Sequence, residues 1–260
     1  MMNKKIYIYG KHAIMEALSY SSHAIDEILI SSQFDNIALR ELIHKRGVKT
    51  AVLTPQKMPR EIDADAVHQG IIGLLSLGRL ILPFETFLKN LAIGPDTSLV
   101  LLGELSDPQN VGAIIRSAAA FGISGVLIPE RNQAQITGSV VKVSAGMAFR
   151  VPLVSVANVN GTLRVLKDRG FAVYGLAGDA KYTVTKEQFE LPTVFVLGNE
   201  AEGIREKTIE LCDKLLSIPI NPNCESLNAA ACATVAFYAW SAKHPKALKA
   251  INLNKEKALG

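Results

Sequence analysis

The feature that most constrains this fold is the regular alternation of short apolar runs with helical segments after residue 98. The runs are rich in Val, Ile and Leu, and they lack the alternating polar residues of a half-exposed strand. Such runs are typical of strands buried on both faces, which occur in parallel sheets covered by helices. They are SLVLLGEL, GVLIP, PLVSV, FAVYGLA, TVFVLGN and KLLSIPI. The pattern predicts an α/β domain built on a parallel sheet.

The predicted helices lie between these strands, and a smaller α/β unit precedes them. The helical segments are 108–121, 136–147, 158–169, 204–212 and 226–242. In the smaller unit, DEILI, VKTAVL and GIIGLLSL predict strands, NIALRELIHKRG predicts an amphipathic helix, and PREIDADA predicts a short helix. Between the units, GRLILPFETFLKNLAIGPDTS carries prolines and glycines without a sustained period. We therefore expect domains at 1–77 and 97–243, a packed linker at 78–96 and a basic tail at 244–260.

The charge distribution excludes a uniformly basic nucleic-acid surface. The chain has 28 Lys and Arg against 24 Asp and Glu, and its largest local excess is the lysine-bearing tail. That tail is either a solvated, frayed terminus or a local basic patch. Six cations of the first domain are candidate phosphate contacts, although a solvated face explains most of them equally well: Lys4, Lys5, Lys11, Lys45, Arg46 and Lys49.

Cysteine, histidine and apolar patterns favour a cytoplasmic protein without a metal. The three cysteines form no CxxC pair, which suits a reducing compartment and argues against a disulfide framework or a zinc site. The five histidines show no HExxH motif or paired spacing. No apolar run approaches the roughly 20 residues of a membrane span, and the first residues lack the unbroken apolar core of a secretory signal.

Arg116 is a permanent cation inside the otherwise apolar or small segment NVGAIIRSAAAFG. Asp107 followed by Pro108 is a typical helix start, because proline needs no amide donor at the first helical position. The residues three and four positions from the arginine on this helix are Gly112, Ala113, Ala119 and Ala120. Another backbone or a phosphate could therefore approach the guanidinium closely. A surface arginine covering apolar neighbours, or an interface ion pair, explains the pattern as well.

Two further polar clusters follow predicted strands, where ligands of parallel sheets bind. In VFVLGNEAEGI, Gly198 lets the backbone bend close to a ligand and is followed by Glu200 and Glu202; a tight turn with a capping carboxylate is the alternative. In IPINPNCESLNAAACA, Ser226 is the expected helix cap. Asn228 is then expected inside the helix, where the low helix propensity of asparagine gives no reason for it. A capping pair with no further role is the alternative there. Neither cluster has the spacing of a dinucleotide or phosphate loop.

In order and spacing, these three clusters resemble the three motifs of SpoU-type SPOUT methyltransferases. The resemblance covers about residues 96–242, and it departs from the family where Ala229 and Ala230 replace a valine–serine pair. In addition, YGKHAIMEAL and HQGI resemble the substrate-binding domain of the subgroup that methylates a guanosine in large-subunit ribosomal RNA. The resemblance implies transfer of a methyl group from S-adenosylmethionine to a ribose 2′-hydroxyl. Methylation of transfer RNA, methylation of a resistance-type ribosomal site and a non-catalytic RNA-binding relative remain alternatives.

The resemblance also implies the site residues, the chain topology and the assembly. The implied catalytic residues are Asn110, Arg116, Glu200, Ser226 and Asn228. Arginine is a poor general base because its guanidinium stays protonated at neutral pH. We therefore expect Arg116 to bind the phosphate beside the target ribose. Glu200 is expected to accept the hydroxyl proton or to orient the arginine. The implied cofactor contacts are Ala177, Gly198, Ile218 and Leu227. The family fold adds a C-terminal trefoil knot and a homodimer whose interface forms the site.

Overall fold

The computed structural model describes residues 4–63, 65–199 and 201–248. Its strands are β1 (Lys5–Tyr9), β2 (Ile25–Ile30), β3 (Thr50–Val52), β4 (Ile71–Ser76), β5 (Ile81–Pro83), β6 (Ser98–Leu101), β7 (Gly125–Pro129), β8 (Leu153–Val156), β9 (Ala172–Leu176), β10 (Tyr182–Thr183), β11 (Thr193–Val196) and β12 (Lys214–Ser217). Its helices are α1 (Lys11–Tyr20), α2 (Ile37–Lys45), α3 (Leu77–Leu80), α4 (Phe84–Asn90), α5 (Pro108–Ala120), α6 (Gly138–Val143), α7 (Val159–Asp168), α8 (Glu206–Ile209) and α9 (Ala229–Ser241).

The first domain is built on a four-stranded mixed sheet in the order β1-β4-β2-β3. β4 pairs antiparallel with both β1 and β2, and β3 adds in parallel to β2. Helices α1 and α2 bury Ile14, Leu18, Leu39 and Ile43 in the core cluster that includes the sheet residue Ile28. An α/β unit was predicted here and is confirmed.

The short helix predicted at PREIDADA is wrong. In the described residues on either side of position 64, turns replace it, and the nearest helical structure is a single 3-10 turn at Pro55–Lys57. Ile62 is buried in a small cluster on the sheet, and the residue four positions later, Ala66, adds only one small, partly buried side chain to that cluster. Because a helix this short needs a packed apolar face, and because aspartates favour turns, the segment follows the sheet instead.

The second domain is an eight-stranded sheet in the order β10-β12-β9-β11-β6-β7-β8-β5, and each neighbouring pair is parallel. The predicted parallel α/β sheet is therefore confirmed. β6, β7 and β11 are buried along their whole length, as expected for strands covered on both faces. Among the described residues, no helix combines the length and apolar composition that crossing a bilayer demands.

The segment predicted to be a linker contributes an edge strand to the second sheet. β5 pairs in parallel with β8, and α4 then buries Phe84, Phe87 and Leu88 against the same domain. Pro83 ends this strand at the sheet edge, where its missing amide hydrogen disrupts no ladder. Residues 81–90 thus lie on the second domain.

The two domains share one buried core. A single hydrophobic cluster contains Ile6 and Leu18 from the first domain together with Val140 and Phe149 from the second. Where they meet, Gly138 lies so close to the first domain that a Cβ would stand 2.2 Å from the Tyr7 carbonyl oxygen. The relative placement of the domains is therefore set by packing as well as by the connecting chain.

Candidate active site

The carboxyl ends of three neighbouring strands surround a cavity of about 460 Å³, here named the central cavity. The loops after β9, β11 and β12 form its wall, together with the first turn of α9. Because the strands are parallel, their carboxyl ends meet at one edge, where ligands of such sheets bind. The volume lies within the range of roughly 300–1,000 Å³ that is usual for small-molecule sites.

Six of the residues predicted for the site line this cavity. Four are the predicted cofactor contacts and two are predicted catalytic residues: Ala177, Gly198, Ile218, Leu227, Ser226 and Asn228. They come from chain segments separated by as many as fifty positions, and only the strand order β12-β9-β11 brings their loops together.

The chemistry of the wall fits an adenosine-containing cofactor. Apolar side chains provide surface on which a flat ring can stack: Leu176, Leu216, Ile218, Ile220 and Leu227. At Gly178 an added Cβ would meet nothing within 4 Å, so the backbone there is open to an approaching ligand. Asn221 and Glu225 add polar groups at the mouth. Apolar walls with a few placed polar groups are typical of cofactor sites.

Gly198 has no room for a side chain. A Cβ at this position would lie 2.3 Å from the carbonyl carbon of Gly203 and 2.5 Å from the Ile204 nitrogen. The two ends of the loop are therefore in direct backbone contact, which only glycine permits.

Asn199 holds that loop and was not among the predicted site residues. Its Nδ2 donates to the Glu104 carbonyl oxygen at 2.9 Å, and its Oδ1 accepts from the amides of Ala201 and Glu202 at 2.9 and 3.2 Å. Backbone hydrogen bonds of 2.9 and 3.0 Å also join it to Gly203. An asparagine directly after a strand-ending glycine is a typical turn signal, and it could have identified this residue.

The start of α9 differs from the prediction. Asn228, not Ser226, is the N-cap, because its Oδ1 accepts from the Ala231 amide at 2.7 Å and the helix begins at Ala229. The expectation that Asn228 lies within the helix is therefore wrong, and its place is explained by the strong N-cap preference of asparagine. Ser226 lies in the exposed loop before the cap.

Two cysteines also line the central cavity, and they differ in burial. Cys224 is exposed, whereas Cys232 is half-buried on α9 and burial raises the pKa of its thiol. The third cysteine, Cys212, lies outside the wall, where burial raises its pKa to about 11. Of the three thiols, that of Cys224 is therefore the most accessible to solvent.

Arg116 and Asn110 lie on α5 and do not line the central cavity of their own chain. The Arg116 side chain is exposed, and among the described residues it has no hydrogen bond or ion pair. The helix is joined to α9 by a hydrogen bond of 2.7 Å between the Ser117 and Thr234 hydroxyls. Glu200, the fifth predicted catalytic residue, lies outside the described residues, as does most of the basic tail.

Several predicted phosphate contacts of the first domain already have partners. The Nζ of Lys5 lies 3.2 Å from Oδ2 of Asp26, and the Nζ of Lys49 lies 3.0 Å from Oε1 of Glu27. Lys4 donates to Gln135 of the second domain. Among the described residues, no group of three or more histidine, cysteine, aspartate and glutamate side chains is arranged to hold a metal ion.

Comparisons with known proteins agree with this architecture. Residues 97–238 match the SpoU rRNA Methylase family, and residues 7–77 match the domain described as RNA 2′-O ribose methyltransferase substrate binding. The chain is 34% identical over 235 residues to the 23S rRNA (guanosine-2′-O-)-methyltransferase RlmB of Escherichia coli, covering 89% of this chain and 96% of that protein. It is 33% identical over 236 residues to RlmB of Pectobacterium atrosepticum, covering 89% and 95%.

Among solved structures, the SpoU methyltransferase AviRb from Streptomyces viridochromogenes superposes with a TM-score of 0.78 at 22% identity, covering 93% of this chain and 90% of that chain. A second structure of AviRb, with the same TM-score, is a complex with the cofactor AdoMet. At this level of identity, the likeness shows a shared fold.

Proposed function

Because this chain belongs to the SpoU rRNA methylase family, we propose that it transfers a methyl group from S-adenosylmethionine to the ribose 2′-hydroxyl of a guanosine in large-subunit ribosomal RNA. The observation that carries the proposal is the central cavity, whose wall contains the four predicted cofactor contacts and two of the predicted catalytic residues. The match of residues 7–77 to a substrate-binding domain and the names of the curated relatives support the RNA target. Such a protein acts in the cytoplasm, where ribosomal RNA is available.

In this proposal the central cavity holds the cofactor. Ala177, Gly198, Ile218 and Leu227 contact it through their backbone and apolar side chains, and the sulfonium supplies an electrophilic methyl group. The chain itself must place the ribose hydroxyl in line with that methyl, which can lower the barrier by about 7–11 kcal/mol. It must also stabilise the oxygen as it loses its proton, where one placed donor contributes about 3–4 kcal/mol.

Arg116 supplies that donor in trans. Its guanidinium is exposed and has no partner among the described residues, so its rigid fork of donors is free to bind a phosphate and the adjacent ribose oxygen. Because it does not line the cavity of its own chain, we propose that a homodimer places it at the partner's cavity. Exposed apolar surface beside α5, including Tyr238 at 60% exposure, supports an interface there.

The remaining predicted residues act on the proton and on the ribose. Glu200 accepts the hydroxyl proton or orients Arg116, and Asn110, Ser226 and Asn228 donate or accept neutral hydrogen bonds. The Oδ1 of Asn228 already caps α9, so its Nδ2 group is the part available to substrate. We further propose that the C-terminal part of the second domain is knotted, as the family resemblance implies.

Two measurements test the function. Calorimetric titration should show that the purified protein binds S-adenosylmethionine, and that Gly198→Ala abolishes binding because its methyl group would overlap Gly203. Gly94→Ala is the matched control, since a Cβ there meets nothing within 4 Å. A wild-type protein that does not bind the cofactor is a non-catalytic RNA-binding relative, and the proposal then fails.

The target is tested by nucleoside mass spectrometry of RNA from a deletion strain and from the complemented strain. We expect one 2′-O-methylguanosine of 23S rRNA to disappear and to return with the wild-type gene. Loss of a methyl group from transfer RNA, or from a ribosomal position other than a guanosine, would contradict the assigned substrate. Light scattering of the purified protein tests the dimer, which a monomeric mass would overturn.

A further inference from the structure

A second cavity of about 430 Å³ lies on the other side of the loop that forms the central cavity. The two cavities share four wall residues: Leu197, Gly198, Asn199 and Gly203. The second cavity opens at the carboxyl ends of β6, β7 and β11, and the N-terminus of α7 closes one side. Among the described residues, no predicted catalytic residue lines it, and Gly198 is the one predicted cofactor contact in its wall.

Glu104 is an acceptor held in place at this cavity. Arg205 donates through Nε and Nη2 to the single oxygen Oε2, at 3.0 and 2.6 Å. The other oxygen, Oε1, lies 3.5 Å from the Asn132 amide, too far for a firm hydrogen bond. One carboxylate oxygen is therefore fixed by an arginine, while the other keeps its capacity to accept.

The backbone is strained where these side chains enter the cavity. Glu104 and Asn132 both have a positive φ, of 61° and 54°. Asparagine tolerates this region, but glutamate adopts it rarely. Such strain persists where the surrounding structure enforces it, and it clusters at functional sites. The Asn199 side chain provides that constraint, because it binds the Glu104 carbonyl oxygen at 2.9 Å.

The chemistry of the proposed reaction requires a place for a base beside the cofactor. The base and the 2′-hydroxyl are attached to neighbouring carbons of the ribose, so a base whose hydroxyl meets the methyl donor must lodge next to the central cavity. Enzymes that modify a nucleotide often take its base out of the stack and bind its Watson–Crick edge in a pocket. The second cavity has the position, the size and the polar wall for this purpose.

We propose that the second cavity receives the base of the target nucleotide, and that Glu104 Oε1 accepts hydrogen bonds from the N1–H and 2-amino groups of guanine. This proposal rests on the proposed function, and it explains why the protein would prefer guanosine to adenosine. Adenine carries an acceptor at N1 and no 2-amino group, so a carboxylate disfavours it. Arg131 and Lys207, whose side chains are exposed at the rim and have no ion pair among the described residues, contact the flanking phosphates.

The test measures methyl transfer to short 23S rRNA fragments that carry guanosine, inosine or adenosine at the target position. For the wild-type protein we expect the order guanosine, inosine, adenosine in kcat/KM. Glu104→Gly removes the acceptor and relieves the strained backbone, so the variant should fold. Its preference for guanosine over adenosine should fall by roughly 5- to 150-fold, as expected for the loss of a base-reading contact. Its affinity for S-adenosylmethionine should stay unchanged.

Glu104→Gln keeps the shape of the side chain and should lose part of the same preference. Glu130→Gln is the matched control, because Glu130 also follows a strand at this sheet edge but binds Ser155 and does not line the cavity. If the wild-type protein methylates the guanosine fragment and Glu104→Gly retains its full preference, the base assignment is overturned and the proposed function stands. If the wild-type protein transfers no methyl group to any fragment, the proposed function itself fails.

Discussion

At the scale of single residues, two arginines show what an isolated cation in an apolar segment can do. Arg150 donates through Nε and Nη2 to the buried Glu16 carboxylate at 2.6 and 2.7 Å. These hydrogen bonds raise the pKa of the Arg150 guanidinium. Arg116 stands in an equally apolar segment but is exposed and has no partner among the described residues. The first arginine joins two domains, and we propose that the second binds the RNA. Only the contacts distinguish them.

Arg116→Lys tests the second role. A lysine keeps the charge but loses the planar fork of donors, so methyl transfer should fall by at least about 100-fold, the usual cost of removing a donor aimed at a developing oxyanion. The affinity for S-adenosylmethionine should not change, because the proposed partners of the guanidinium are the phosphate and the ribose oxygen of the RNA.

Arg164→Lys is the control, since Arg164 is an exposed arginine on α7. It should retain full activity. A lysine at position 116 that supports near-normal turnover would contradict the assigned role.

Cys224 offers a chemical probe of the central cavity. The thiolate is the reactive form, and a pKa of about 11 leaves Cys212 almost wholly protonated at pH 7.5. Burial raises the pKa of Cys232 as well. We therefore expect iodoacetamide to label Cys224 first, and saturating S-adenosylmethionine to slow that labelling. Peptide mass spectrometry over time measures both, and equal rates with and without cofactor would place the cofactor elsewhere. Labelling of Cys212 should accelerate only as the pH approaches 11.

At the scale of elements, the site depends on how strands end and helices begin. β11 ends in a loop closed by Gly198 against Gly203, and α9 begins at the side chain of Asn228. Both features are local. One is a glycine without room for a Cβ, and the other is an asparagine whose short side chain accepts a hydrogen bond from the first turn of the helix. They place the loop and the helix in the wall of one cavity, so a change in either should alter the site and the stability together.

Asn228 can be tested for both effects separately. Asn228→Ala removes the cap and should lower the free energy of unfolding by about 1 kcal/mol. Asn228→Asp keeps the capping oxygen and should keep the stability, but it replaces the Nδ2 group and should slow methyl transfer. Urea unfolding and a transfer assay measure the two.

Asn36→Ala is the control for the cap, since Asn36 caps α2 in the same way. Its Oδ1 accepts a hydrogen bond from the Leu39 amide at 2.9 Å. It should cost similar stability and leave cofactor affinity unchanged. An Asn228→Asp variant with full turnover would show that Asn228 acts as a cap alone.

At the scale of the whole molecule, the first domain is docked on the second by a shared core and a buried ion pair. The side chains of Glu16 and Arg150 are 8% and 21% exposed. The guanidinium carbon of Arg150 also lies 4.4 Å from the centre of the Tyr20 ring. Ser21 donates to the Phe149 carbonyl oxygen beside them. This contact holds the first domain at a set distance from the sheet edge that carries the cavities.

Glu16→Ala tests this docking. It leaves the Arg150 cation without its partner in a largely buried position, which should lower the free energy of unfolding by about 3 kcal/mol. The double change Glu16→Leu with Arg150→Met should recover much of that loss, since an apolar pair needs no compensating charge. Lys49→Ala, which breaks an ion pair with a lysine 75% exposed, is the control and should cost less than about 1 kcal/mol. If Glu16→Ala costs no more than Lys49→Ala in urea unfolding, the pair does not dock the domains.

Much of the second domain could be predicted from the sequence, because each predicted strand and helix depends on residues near one another in the chain. Apolar runs predicted β6 to β9, β11 and β12, and the motifs predicted the loops that line the central cavity. The two-residue strand β10 and the strand β5 escaped, since they are too short to show a period and form only by pairing with β12 and β8. The individual roles of the predicted site residues and the domain boundaries stay predictions.

The sequence by itself determined the α/β class, the parallel sheet and the polar loops after its strands, because period and turn chemistry act over a few residues. Tertiary structure alone decided that β9, β11 and β12 are neighbours, that Glu104 and Arg205 meet at a second cavity, and that Arg150 is buried while Arg116 is exposed. These outcomes depend on contacts between residues far apart in the chain. No local pattern specifies such contacts, since they follow from how helices and strands pack against one another.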